Sequence, residues 1–185
     1  MNKNLTSFEL INIGGFTALG VALGFALFNI PNIELVSATI FISGYILGAR
    51  SGAITGLLTE SIFSIFNPLG MAAPPLFIAQ VVSMILIGLG GAFVRNLRIK
   101  QWQVPIATGS AGFLLTSVFS VLTTLSFVFF IGLDKTGRVA AIISGLGFYT
   151  LHIVFNTIIF STIVPVIITT AFKTRLFKKD EAVAT

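Results

Sequence analysis

Glu60 is the only acidic residue well inside an apolar run of this sequence, and it sits in the stretch 51–66. Polar side chains at membrane depth are costly, so they turn toward a bundle interior or a cavity. At about 100° per residue, Gly56, Glu60, Ser64 and Asn67 share one helical face. Gly145, Tyr149, His152 and Asn156 share one face of a later helix, and Arg138 joins that row if the helix begins early enough. Gln80 with Ser83, and Thr116 with Ser120 and Thr123, add hydrogen-bonding groups on two further runs. The candidate substrate-binding set is therefore Glu60, Ser64, Asn67, Gln80, Arg138, Tyr149, His152 and Asn156. Glu60 lies ~13 Å from one end of its helix and His152 ~15–20 Å from the opposite end of its own. The two can meet near mid-depth, as a structural hydrogen bond at the floor of the bundle, as direct contacts to a ligand, or as a gate. Glu60 suits a cationic or amino-heterocyclic ligand. Arg138 and Lys135 suit a carboxylate, which a guanidinium binds bidentately; Arg138 also suits an anchoring role at the membrane interface.

Other chemistries lack their residues. No P-loop pattern occurs, so the chain does not itself hydrolyse ATP. One histidine, three methionines and no cysteine are poor material for a transition-metal site. No nucleophile motif is present, and the expectation is a non-enzyme with no catalytic residue, metal or cofactor. Voltage-sensor and selectivity-filter patterns are missing too.

The elements that position these residues are written in the composition. Of 185 residues 55% are hydrophobic and only 9% charged, whereas soluble domains carry roughly a quarter charged residues. Too little charge remains to cover a water-facing surface. Apolar segments fall at 11–28, 34–48, 51–66, 75–94, 104–131 and 139–172, and a span needs about 20 residues. The second and third are short and share the turn "LGARSG", which suits two short spans better than a re-entrant hairpin. The first ten residues, MNKNLTSFEL, look little like a secretory signal. Lys3, Arg50, Arg95, Arg98, Lys100, Lys173, Arg175, Lys178 and Lys179 fall on one side, against Lys135 and Arg138 on the other. That asymmetry places the basic side in the cytoplasm. The basic run "KTRLFKK" suits anionic lipid headgroups rather than nucleic acid. The sequence thus predicts an all-α integral membrane protein of the prokaryotic plasma membrane. It would be one domain over 1–185, a compact bundle of six transmembrane helices with N and C termini cytoplasmic and a disordered tail over 178–185.

Small residues are unusually ordered on the first helix. Gly14, Ala18, Ala22 and Ala26 form one ridge, with Gly20 and Gly24 on nearly the opposite side. Gly44 with Gly48 and Gly52 with Gly56 form similar pairs on the next two helices. Helices in lipid gain little from the hydrophobic effect on associating and rely on close approach, which small residues permit. One flank of the first helix can therefore pack inside the bundle while the other receives a separate subunit.

With its Ala18, Ala22 and Ala26 row and six helices, the chain resembles the substrate-binding (S) component of an energy-coupling factor (ECF) transporter. The stretch "NIPNIELVSATIFISGYILGARSGAITGLLTESIFSIFNPLG" also resembles the second and third helices of such proteins. The resemblance implies capture of a vitamin or similar micronutrient outside the cell. It implies as partners a transmembrane coupling subunit, docked on Ala18, Ala22 and Ala26, and two cytoplasmic ATPases. The loop "NPLGMAAPPLF", with Pro68, Pro74 and Pro75 interrupting helix, is expected to be a lid whose Met71 and Phe77 cover the ligand, or else a rigid connector. Two further readings carry different expectations. A membrane scaffold resembling the rod-shape-determining protein would hold no small-molecule pocket, and a stand-alone secondary carrier would use Glu60 as its proton-coupling acid.

Overall fold

Thr6 opens the first helix with a capping box: its side chain accepts from the Glu9 amide at 3.2 Å, and Glu9 accepts from the Thr6 amide at 2.8 Å. In the computed structural model, which describes residues 5–130, 132 and 134–173, this helix leads a series of six. They are α1 (Ser7–Leu27), α2 (Val36–Leu47), α3 (Ala49–Ile65), α4 (Pro74–Arg95), α5 (Val104–Phe130) and α6 (Lys135–Lys173), with a 3-10 turn over Gln101–Gln103 before α5. No strand occurs among the described residues. The tail expected over 178–185 lies outside them.

Four helices, α1, α4, α5 and α6, are long and apolar enough to cross a membrane. The other two are short. With 12 residues, α2 rises only ~18 Å against a hydrocarbon thickness of about 30 Å. Its context explains its composition: ten of its 12 residues are buried, and it packs against α1, α3, α4 and α6. The segment 34–66 is thus two distinct helices. They are joined through Gly48, whose φ of 96° belongs to a backbone region that side chains disfavour. Gly48 makes the turn rather than a packing face, since a Cβ there would touch nothing.

Close packing of α2, α3 and α4 depends on the remaining small residues. A Cβ on Gly44 would overlap the Gly88 carbonyl, one on Gly88 the Gly52 carbonyl, and one on Gly91 the Phe41 carbonyl. Backbone therefore lies on backbone at these crossings, the arrangement expected where helices associate without hydrophobic driving force. Phe41 and Phe160, both fully buried, meet edge to face at 5.0 Å and join α2 to α6.

By contrast, α1 is peripheral, meeting only α2 and α3 among the described residues. Its glycine flank faces inward: a Cβ on Gly20 would fall 2.8 Å from Thr59, and one on Gly24 the same distance from Phe63. Ala18, Ala22 and Ala26 are exposed. The basic residues Arg50, Arg95, Arg98 and Lys100 gather at one end of the bundle, where the Arg95 guanidinium donates to the Ile46 carbonyl at 2.9 Å.

Candidate functional site

At the opposite end, the C-terminal parts of α1 and α3, the N-terminal part of α4, the segment 28–35 and the middles of α5 and α6 enclose a cavity of about 250 Å³. Its polar lining is Glu34, Glu60, Gln80, Tyr149 and His152 with Asn32. Phe28, Ile33, Phe63, Met84 and Phe119 supply apolar walls. This combination of mostly apolar walls and few convergent polar groups suits a small organic ligand.

Glu34 organises one wall. It stands just before α2, and one carboxylate oxygen accepts from the Ser37 amide at 2.8 Å. That bond satisfies an otherwise orphaned donor of the first turn and sets negative charge at the positive end of the helix dipole. The other oxygen accepts from the Asn156 side-chain amide at 2.9 Å and lies 3.5 Å from His152 Nε2. Asn156 Nδ2 also donates to Thr116 Oγ1 at 3.2 Å. A primary amide has two hydrogens, and these two acceptors can take both. His152 Nε2 lies within reach of both Glu34, at 3.5 Å, and Asn156 Nδ2, at 3.1 Å, donating to the first or accepting from the second according to its tautomer. The His152 ring stands edge-on to Phe119 at 5.6 Å. Tyr149 packs against the same phenylalanine at 6.3 Å, so both rings of α6 are fixed in orientation.

Glu60 lies across the cavity on α3, only 3% exposed. No hydrogen-bond donor among the described residues reaches its carboxyl. The pairing of Glu60 with His152 allowed by their depths does not form, because Glu34 reaches His152 from the segment before α2. Beyond Tyr149, which lines both spaces, a second hollow of about 320 Å³ is walled by Leu76, Phe127 and Phe148 with Thr123 and Thr124.

Of the residues singled out from sequence, Glu60, Gln80, Tyr149 and His152 line the first cavity. Ser64 is buried behind it and donates to Gln80 Oε1 at 3.3 Å, while Asn156 is fully buried behind His152 and Glu34. Asn67 and Arg138 lie apart from the lining. Asn67 closes its own turn by accepting from the Leu69 amide at 2.9 Å, and Arg138 is exposed near the start of α6. The "NPLGMAAPPLF" loop does not cover the cavity either: Met71 is exposed, Phe77 is outside the lining, and Pro74 and Pro75 open α4. Segment 28–35 supplies Phe28, Ile30, Asn32, Ile33 and Glu34 to the lining instead. Sequence reasoning missed Glu34, although an acid three residues before Ser37 at the head of an apolar run is a helix-start signal.

Among the described residues, an all-helical bundle with several helices long and apolar enough to cross a membrane defines a multi-pass membrane protein. No family model matches the chain. It is 32% identical over 116 residues to the biotin transporter BioY of Rhodobacter capsulatus. The alignment covers 58% of each protein, so the chain spans little more than half the length of that relative. The resemblance to a vitamin-uptake component drawn from the sequence thus agrees with a curated vitamin transporter.

Proposed function

We propose that this chain captures a vitamin-sized molecule outside the cell and imports it as the S component of an ECF transporter. The observation that carries this reading is the cavity of about 250 Å³, placed at the end of the bundle opposite the basic residues. With those residues in the cytoplasm, both termini are cytoplasmic and the cavity serves the exterior. Biotin, the substrate in the name of the relative, is the first ligand to test.

Coupling to a motor is supported by the division of labour on α1. Gly20 and Gly24 are used up inside the bundle, whereas Ala18, Ala22 and Ala26 leave a smooth exposed strip for a foreign helix. The partners in this reading are a transmembrane coupling subunit and two cytoplasmic ATPases, with the chain supplying ligand recognition alone. Labelled-biotin uptake by cells producing the chain, with and without the ATPases, tests it. Uptake should require ATPases and disappear when Ala18 and Ala22 are both replaced by tryptophan, with binding to purified protein retained. Normal transport by that double variant overturns the docking role. Uptake that survives loss of the ATPases but collapses with the proton gradient replaces the S-component reading with a secondary carrier.

A further inference from the structure

We infer that the cavity recognises a nitrogen-rich head group, neutral or cationic and presenting N–H donors, which docks between Glu34 and Glu60. A carboxylate of the ligand is held away from this floor. The inference rests on the transport reading above and specifies its substrate class.

Three observations carry it. First, two carboxyl groups line the cavity, from opposite sides and different elements, while no lysine or arginine is among the described lining residues. Arg138 and Lys135, the basic residues nearest in sequence to this end, are exposed and outside it. An entering carboxylate would therefore meet two acids, with the one ionisable base among the described lining residues, His152, already engaged by Glu34 at 3.5 Å.

Second, the two acids are treated differently by the protein. Glu34 has its donors supplied by Ser37 and Asn156, with His152 at 3.5 Å. Glu60, although 3% exposed, receives no donor from the described residues. Buried polar groups are nearly always hydrogen-bonded, so a buried carboxyl turned to an open cavity without a donor is a group left for a ligand to satisfy. Carboxylates accept only, and their complement is an N–H or O–H donor.

Third, the remaining lining fits a flat heterocycle. Tyr149, Phe119 and Phe63 offer ring surfaces, and Gln80 adds an amide that can serve either partner of a donor–acceptor pair. The hollow beyond Tyr149 is walled mainly by apolar groups and by neither acid, so it can take another part of an elongated molecule.

Isothermal titration of the full chain in detergent tests this with four probes: biotin, biotin methyl ester, biotin blocked at a ureido nitrogen by a methoxycarbonyl group, and 2,4-diaminopyrimidine. Biotin and its ester should bind with Kd values within about threefold. The blocked compound should bind about tenfold or more weakly, the loss expected when a hydrogen bond to a charged acceptor is removed. E60Q should weaken biotin binding by a similar factor with no change in thermal unfolding of the free protein. An ester at least tenfold weaker than biotin, with the blocked compound unaffected, overturns the inference and leaves biotin transport standing. Diaminopyrimidine binding without any biotin binding supports the inference and removes biotin as substrate. Should neither bind, both fall.

Discussion

The helices α1 and α2 are both apolar, and neither has a marked hydrophobic side, yet they occupy opposite extremes of the fold. The first has 21 residues and only Ile13, Thr17, Gly20 and Gly24 buried. The second has 12, with ten of them buried. In water such a contrast would be visible as amphipathicity. In lipid an outward leucine and an inward leucine are equally well solvated, so burial is set by which backbones approach most closely. Glycine decides that: where it meets a carbonyl on another helix the contact is rigid, and where it meets a side-chain tip the contact can yield.

Substitutions along these contacts rank the difference. Gly44→Leu in α2 should be the most damaging, because its Cβ meets the Gly88 carbonyl. We expect destabilisation of at least ~3 kcal/mol, seen as loss of a monodisperse species by size-exclusion chromatography in detergent. Asn156→Ala removes the donor shared by Glu34 and Thr116. It should cost ~1–3 kcal/mol in thermal unfolding, with weaker ligand binding. Gly20→Leu in α1 meets only the Thr59 side chain and should cost about 1–2 kcal/mol in the same measurement. Ala22→Leu, on the exposed flank of the same helix, should stay within about 0.5 kcal/mol. An equal loss for Gly20→Leu and Ala22→Leu would break the distinction between the two flanks. Smallest of all, Arg138→Ala should change ligand affinity by less than about twofold, because the side chain is exposed and away from the cavity.

Much of this architecture is legible in the sequence. Apolar runs place the helices to within a few residues, as in 104–131 against Val104–Phe130, and "LGARSG" marks the tight turn. Four of the cavity-lining residues follow from helical faces. Glu34 does not, because its position is set by tertiary reach rather than periodicity. Depth counted from helix ends assumes full-length spans, and α2 is too short for that assumption. The segment before it folds over the bundle and delivers a carboxylate to His152, taking the place given to Glu60. Asn67 was misleading for a related reason: its side chain shares the Glu60 face on a helical wheel, but the helix stops at Ile65 and Asn67 turns to its own loop.

The brevity of α2 has one further consequence for the surrounding bilayer. A rod of ~18 Å cannot reach both margins of a layer about 30 Å deep, so irregular backbone is drawn below the headgroup plane, tolerated where it is covered by protein or faces water. On the transport reading proposed above, a ligand resting against segment 28–35 already lies part of the way across that layer.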